Sequence, residues 1–132
     1  LDADIVIDEK VVNAIENSKY ELGTIMFKPN VNNFKAKLYI FLKNIWSKLY
    51  LGGGVIYCTK EVYKNAKGFE ENISYKEDIR FLKRAQEYKK YKPLNTKGIV
   101  NMRRYEKAGY LKPLLIRPRA WLNNKTKYPT IR

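Results

Sequence analysis

The sequence predicts an α/β domain in which a mixed sheet is flanked by helices. Short runs rich in β-branched residues alternate with runs in which apolar residues recur every three or four positions. The 132 residues are enough for one domain with a hydrophobic core, and 45% of them are hydrophobic. Alternating strands and helices are typical of α/β folds, whose ligands bind beyond the carboxyl ends of the strands.

The first part of the chain is predicted to run strand, helix, strand, helix. Residues 1–7 have the pattern of a strand end, and Asp8 is placed to cap a short helix. A strand is expected over residues 20–27, where a Lys-Pro-Asn segment ends it. The longest helical pattern follows over residues 34–51. Its apolar stripe recurs at spacings of three and four and comprises Phe34, Leu38, Phe41, Leu42, Ile45, Trp46 and Leu49.

The middle of the chain returns to the sheet after this helix. Three glycines at residues 52–54 are expected to end the helix, and a strand follows over residues 55–58. Thr59 is predicted to cap a short helix that stops at Gly68.

The next helix is predicted from a capping box, a Ser followed three residues later by a Glu. Ser74 and Glu77 match this pattern, and the helix is expected to run to about Tyr91. A short strand is expected over residues 99–102, and the tail after Lys112 carries three Pro and scattered Lys and Arg. The residues predicted to point inward from this helix are Ile79, Leu82 and Ala85.

The composition excludes several kinds of catalytic and metal site but does not identify the binding partner. Lys and Arg number 27 against 13 Asp and Glu, and the resulting net charge of +14 favours nucleic acid, an anionic membrane or phosphorylated ligands. The chain has no His and one Cys, Cys58, so it contains no zinc site of His and Cys ligands and no Ser–His or Cys–His pair. Its chemistry must therefore use carboxylates, Lys, Arg, Tyr or a hard metal ion.

A pair of carboxylates opens the chain. Asp2 and Asp4 stand where a strand is predicted to end, and such a pair suits a Mg²⁺ ion that bridges a diphosphate. A solvated loop is the alternative. Gly53 and Gly54 would let the backbone approach a sugar or phosphate closely, or they simply end a helix.

A second acidic pair and an arginine pair are the other candidates. Asp78 lies in a first helical turn, where an ionised carboxylate could accept a proton from an attacking hydroxyl. The capping box explains Glu77 without a functional role. Arg103 and Arg104 could hold phosphate oxygens through their forked donors, and surface charge is the alternative.

The order of these motifs resembles that of family 2 glycosyltransferases of the GT-A fold. The shared order is a hydrophobic D-A-D opening, a Gly-rich strand, K-E-V-Y-x-x-A-K-G-F-E-E, a helix that opens with E-D, and a strand followed by R-R. The most specific part is Gly68-Phe69-Glu70 ahead of the E-D pair. A Q-x-x-R-W signature is absent, which disfavours a processive polymerase. The matching stretches are residues 1–8, 52–71, 75–84 and 99–110.

The resemblance implies a partial nucleotide-diphospho-sugar transferase fold whose N-terminal half precedes this sequence. Residues 1–112 would form the C-terminal, acceptor-side part of the catalytic domain, and residues 113–132 a basic, Pro-containing tail. The isolated residues are then expected to be inactive. They are also expected to be poorly soluble, because missing strands leave sheet edges exposed.

The resemblance also implies a role for each acidic residue. Asp2 and Asp4 would hold Mg²⁺ or Mn²⁺ on the donor diphosphate, with Asp4 the more direct ligand. Asp78 would act as the base on the acceptor hydroxyl, supported by Glu77 from the same helical turn. The sugar would be transferred with inversion to a sugar, a glycan or a polyprenyl phosphate, in the biosynthesis of cell-envelope polysaccharide or glycans.

This interpretation predicts a cytoplasmic protein, at or near the cytoplasmic face of a membrane. Trp46, Tyr39 and Tyr50 stand beside several Lys, and they suggest that the 34–51 helix borders the membrane. Packing of its apolar stripe against the sheet is the other interpretation.

Two other functions compete with glycosyl transfer. A basic nucleic-acid-binding module is compatible with the charge and the 11 Tyr, although Lys is spread along the chain and no nucleic-acid motif is present. A haloacid-dehalogenase-like phosphatase would use Asp2 as its nucleophile, but its later Asp pair should follow a buried strand rather than open a helix.

Overall fold

The computed structural model describes residues 4–50, 54–70 and 77–110, and these form an α/β fold around a four-stranded mixed sheet. The strand order is β1-β4-β2-β3. The second and fourth strands are parallel, whereas the first and third each pair antiparallel with a neighbour. The predicted α/β class is confirmed. The strands are β1 (Ile5–Val6), β2 (Leu22–Pro29), β3 (Ile56–Cys58) and β4 (Lys92–Val100).

Helices α1 and α3 begin directly after the capping residues that the sequence predicts. The Asp8 carboxylate accepts a hydrogen bond from the Val11 N–H at 3.0 Å, and the Thr59 hydroxyl accepts one from the Val62 N–H at 3.4 Å. Both predicted caps are therefore confirmed; the predicted cap Ser74 lies outside the described residues. The helices are α1 (Glu9–Glu16), α2 (Phe34–Tyr50), α3 (Lys60–Asn65), α4 (Glu77–Ala85) and α5 (Arg103–Ala108).

Two hydrophobic clusters cover the two faces of the sheet. Side chains alternate between the faces of a strand, and β2 accordingly sends Ile25 and Phe27 into one cluster and Leu22 into the other. The first cluster also takes residues from α1, α2 and α5. The second takes residues from α3 and α4. Helices therefore flank both faces of the sheet.

Strand β4 is longer than expected, because only residues 99–102 were predicted as a strand. Its nine residues begin at Lys92 and include Pro93, which pairs with Thr24. Proline cannot donate a ladder hydrogen bond, but it is tolerated where one side of a strand has no neighbour. Strand β1 pairs with β4 only at Ile99 and Val100, so among the described residues the Pro93 end of β4 has a neighbouring strand on one side alone.

The prediction that the opening carboxylates end a strand is wrong for Asp4. This residue precedes β1, which runs antiparallel to β4. The start of β1 consequently meets the end of β4. Asp4 thus still lies at the edge of the sheet where the parallel strands end, although the direction of its strand was not anticipated.

Helix α2 has its predicted bounds to within one residue, but it packs through a different face. The buried residues are Ala36, Tyr39, Ile40, Lys43 and Ser47. The interpretation that the stripe through Phe34 packs on the sheet is therefore wrong for its described members. The Lys43 side chain is 6% exposed, and its ammonium lies 4.6 Å from the centroid of the Phe27 ring.

A polar residue explains the rotation of α2. The Asn44 side-chain amide accepts a hydrogen bond from the Phe27 N–H at 2.9 Å and donates one to the Phe27 carbonyl at 3.0 Å. Strand β3 pairs with β2 only from Leu22 to Thr24. The amide of Asn44 takes the place of a neighbouring strand where β3 no longer covers the edge of β2.

Helix α4 is shorter than predicted and uses a partly different inward face. It ends at Ala85 and is followed by turns, rather than continuing to Tyr91. Leu82 and Ala85 are buried as predicted, whereas Ile79 is only half-buried and Phe81 is fully buried. Phe81 is in contact with the rings of Tyr63 and Phe69, which explains its position in the core.

Candidate functional site

Hydrogen bonds join three chain segments at the carboxyl edge of β2 and β4. The Asn101 N–H donates to the Asp4 carbonyl at 2.8 Å, and the Asn30 N–H donates to the Val100 carbonyl at 3.0 Å. The Asn30 side chain also accepts from the Met102 N–H at 2.9 Å. The segments that follow both parallel strands are thereby tied to the start of β1. In open α/β sheets this edge is where ligands bind.

The predicted arginine pair lies at the same edge. Arg103 and Arg104 form the first turn of α5, and the Arg103 N–H donates to the Asn101 side-chain oxygen at 3.0 Å. Both arginine side chains are exposed. Because Asn101 contacts both Asp4 and Arg103, the structure brings these two predicted residues to one place. Both contacts are made by backbone atoms of Asp4 and Arg103.

Among the described residues at this edge, Asp4 supplies one carboxylate of the kind that binds hard divalent cations. Asp4 is half-buried, and its carboxylate is an oxygen ligand of the kind that Mg²⁺ and Mn²⁺ prefer. Within residues 4–50, 54–70 and 77–110, no group of three or more His, Cys, Asp or Glu residues could enclose a metal ion. Mg²⁺ commonly uses only one or two protein carboxylates beside phosphate and water oxygens. Asp2, the second predicted ligand, lies outside the described residues.

The other acidic pair opens α4, as the sequence predicted. Asp78 is half-buried and its carboxylate accepts a hydrogen bond from the Ile79 N–H at 2.8 Å, whereas Glu77 is exposed. Burial raises the pKa of Tyr91 to about 12; a hydrogen bond with Thr24 opposes this rise, and the charges of Tyr57 and Asp78 add to it. The Asp78 carboxylate therefore lies within electrostatic range of the Tyr91 hydroxyl.

Tyr91 and Thr24 donate hydrogen bonds to backbone carbonyls on either side of the glycine segment. The Tyr91 hydroxyl donates to the Ser47 carbonyl at 3.2 Å, and Thr24 donates to the Val55 carbonyl at 2.6 Å. Gly54, which precedes Val55, is buried. Asp78 and Gly54 thus lie on the β2–β3 side of the sheet. Gly53 is outside the described residues.

The two groups of predicted residues occupy different parts of the sheet. Asp4 precedes β1, which meets the carboxyl end of β4. Tyr91, whose pKa the charge of Asp78 helps to raise, directly precedes the amino end of β4. The described interactions therefore tie the two carboxylates to opposite ends of β4.

The Gly68-Phe69-Glu70 segment is held by a residue that the sequence did not single out. The Arg84 guanidinium donates to the Ala66 carbonyl at 2.9 Å and to the Gly68 carbonyl at 2.7 Å, and it forms an ion pair with Glu70. Lys67 and Gly68 both have positive φ angles, of 59° and 62°. Arg84 thus fixes an unusual turn in the chain that leads to α4.

Sequence reasoning also missed the asparagines that organise the carboxyl edge. Asn30 and Asn101 each use a side-chain oxygen to accept from a backbone N–H in the segment after β4. Their position directly after strands was a usable signal, since such residues commonly bind backbone groups in turns. Arg84 gave no such signal, because its acceptors are backbone carbonyls distant in sequence.

Comparisons with protein-family models, with curated proteins and with solved structures found no match to this chain. A search of the described helices for one long and apolar enough to cross a bilayer found none. The functional assignment therefore depends on the residues and on their geometry.

Proposed function

We propose that this chain forms the acceptor-side part of a metal-dependent, inverting glycosyltransferase with a GT-A fold. Its donor is a nucleotide-diphospho-sugar and its acceptor carries a free hydroxyl. The observation that supports this proposal most is the contact of Asn101 with both Asp4 and Arg103, at 2.8 Å and 3.0 Å. Through these two contacts the backbones of Asp4 and Arg103 lie close together at the carboxyl edge of the parallel strands, which supports a shared role for the two residues.

The donor diphosphate would bind at this edge. Asp4, together with Asp2, would hold Mg²⁺ or Mn²⁺, and the bound ion would stabilise the negative charge that the leaving nucleoside diphosphate gains. Arg103, which lies near Asp4 through Asn101, and its neighbour Arg104 are exposed, and their guanidinium groups would bind phosphate oxygens of the donor.

The acceptor would bind on the β2–β3 side. The Asp78 carboxylate would accept the proton of the acceptor hydroxyl while that oxygen attacks the anomeric carbon and the bond to the diphosphate breaks. One displacement of this kind inverts the anomeric configuration. Glu77, one residue earlier in the same turn, would add negative charge, and the buried backbone at Gly54 would allow close approach of a sugar.

The first test concerns the proposed base. In the full-length protein, Asp78→Asn should nearly abolish transfer from nucleotide-sugar donors, with donor affinity by calorimetry unchanged. Glu87→Gln, which neutralises an exposed carboxylate after α4, is the matched control and should retain activity. Wild-type turnover by Asp78→Asn would refute this role.

The second test concerns the donor site. Asp4→Ala should weaken donor binding in the presence of Mn²⁺ and should have little effect when a chelator is present. Glu9→Ala, an exposed carboxylate in the first turn of α1, should leave both measurements unchanged. Equal loss of affinity with and without the metal would contradict a metal ligand at Asp4.

The phosphatase alternative is less well supported by the fold. A phosphatase of this class needs an aspartate nucleophile at the carboxyl end of a parallel strand. Asp4, the first described residue, instead directly precedes β1, which pairs antiparallel with β4. A stable phosphoaspartate trapped on Asp2 would favour the phosphatase. For the nucleic-acid-binding alternative, tight binding that survives about 0.3 M salt would be the supporting result.

A further inference from the structure

Helix α2 exposes an apolar face that packing within the described fold does not use. Phe34 and Phe41 are 78% and 60% exposed, and further large apolar side chains on the same side are also exposed. These exposed side chains, called the outward face, are Phe34, Leu38, Phe41, Leu42 and Ile45.

The outward face lies opposite the buried face of the same helix. Outward positions 34, 38, 41 and 45 recur at spacings of four and three, and buried positions 36, 40, 43 and 47 follow each of them by two residues. Two residues correspond to about 200° around an α-helix. Helix α2 therefore has one side buried within the protein and, opposite it, an exposed apolar side.

Charge indicates which surface covers the outward face. Helix α2 contains four Lys and no Asp or Glu. Lys37 and Lys48 border the outward face on one side and Lys35 borders it on the other, and all three are exposed. A helix with a central apolar strip between lysines suits the interface of an anionic bilayer, where the lysine stems lie along the lipid and the ammonium groups reach the headgroups.

A second copy of the chain is a poorer occupant. A twofold contact would place the same face of each copy against the other. Such a contact would bring together the lysine borders of two chains that each carry a net charge of +14, without acidic residues from either α2 to offset them. Like charges at an interface are strongly unfavourable.

We propose that the outward face of α2 inserts into the headgroup region of an anionic membrane and docks the protein there. The buried face of Tyr39 and Ile40 remains packed within the protein. Tyr39, which the sequence suggested as a membrane-contacting residue, therefore does not take part. The helix lies along the membrane rather than crossing it, in agreement with the absence of a spanning helix among the described residues.

Docking would also orient the candidate donor site. At the start of α2, the Asn33 side chain donates to the Tyr110 hydroxyl at 3.4 Å, and a shallow groove runs between this end of α2 and Glu106 of α5. Helix α5, which carries the arginines of the candidate donor site, would then lie close to the headgroup layer. This consequence rests on the proposed function, whereas docking itself does not.

The test is flotation of the full-length protein with liposomes. The protein should float with vesicles of equal parts phosphatidylglycerol and phosphatidylcholine at low salt, and far less with phosphatidylcholine alone. Phe41→Ser combined with Ile45→Ser should lower the partition coefficient at least about tenfold, because both side chains lose apolar contact with lipid. Lys37→Gln and Lys48→Gln should each lower it about fivefold.

Control variants distinguish docking through α2 from unfolding and from nonspecific hydrophobic adsorption to vesicles. Val12→Ser combined with Tyr88→Ser removes apolar groups exposed elsewhere and should leave flotation unchanged. The variants at positions 12, 37, 41, 45, 48 and 88 should keep the wild-type circular dichroism, because these side chains are exposed. In a Trp121→Phe background, emission from Trp46 should shift to shorter wavelength when anionic vesicles are added.

Three results would overturn the proposal. One is failure of the wild type to float with anionic vesicles at low salt. Another is equal flotation of the wild type and the Phe41→Ser, Ile45→Ser variant. The third is a concentration-dependent dimer in sedimentation that this variant abolishes, which would assign the face to a second copy. Flotation without glycosyl transfer would leave docking intact and count only against the proposed enzyme activity.

Discussion

Replacing Arg84 by Met should destabilise the protein far more than replacing its neighbour Arg80, although both arginines contact the same carboxylate. Arg80 reaches Glu70 at 3.2 Å and its side chain is 49% exposed. Arg84 also pairs with Glu70, but its side chain is 30% exposed and it donates to the carbonyls of Ala66 and Gly68 as well. The two variants differ mainly in these backbone contacts.

The expected magnitudes follow from the partners that each variant loses. Hydrogen bonds to charged groups contribute about 1.5–3 kcal/mol, and partial exposure favours the lower end. Loss of two such bonds in Arg84→Met should therefore lower the free energy of unfolding by about 3 kcal/mol, or roughly 10 °C in Tm. An exposed ion pair contributes less than about 1 kcal/mol, so Arg80→Met should lower Tm by only a few degrees.

Thermal unfolding followed by circular dichroism measures the difference. Glu70→Gln should cost less than Arg84→Met, because the two carbonyl contacts of Arg84 remain. Arg84→Lys should behave more like Arg84→Met than like the wild type, since one ammonium group cannot match the forked geometry. Equal loss of Tm in Arg84→Met and Arg80→Met would refute the reasoning.

Three further predictions test the sheet and its surroundings. Asn44→Ala should lower the free energy of unfolding in urea by about 2–4 kcal/mol, because the N–H and carbonyl of buried Phe27 both lose their partner. Gly23→Ala should unfold the protein or lower its Tm sharply, since an added Cβ would lie 1.9 Å from the Lys92 carbonyl oxygen. Stability should fall as pH rises from about 10 to about 12, since Tyr91 keeps its proton in the folded state up to about pH 12 whereas the unfolded chain releases it near 10.0; Tyr91→Phe should flatten this slope.

Matched variants make each of these results interpretable. Lys48→Ala, an exposed position on the same helix as Asn44, should cost little in urea. Gly98→Ala should be milder than Gly23→Ala, because its added Cβ would meet the end of the Ile25 side chain at 3.0 Å rather than backbone. An unchanged slope above pH 10 in Tyr91→Phe, or a mild Gly23→Ala, would contradict the packing described for β2 and β4.

Local patterns determined the elements but not always their direction or their neighbours. The α/β class, the caps at Asp8 and Thr59, and the helix opened by Glu77 and Asp78 follow from short-range chemistry that the sequence displays directly. Pro93 concealed the start of β4, because tolerance of a proline depends on whether a second strand lies alongside it. The antiparallel course of β1 likewise depends on its pairing with β4.

The tertiary structure alone determined which face of α2 packs inward. It also determined which candidate residues lie close together. Both faces of α2 satisfy helical periodicity, so periodicity could not choose between them. The choice follows from the bond between Asn44 and the open edge of β2, a contact between residues seventeen positions apart. In the same way, Asp4 and Arg103 lie far apart in the sequence. They come close together because β1 pairs antiparallel with the end of β4. Short-range preferences act within a few residues, whereas a site is assembled by strand pairing across the whole chain.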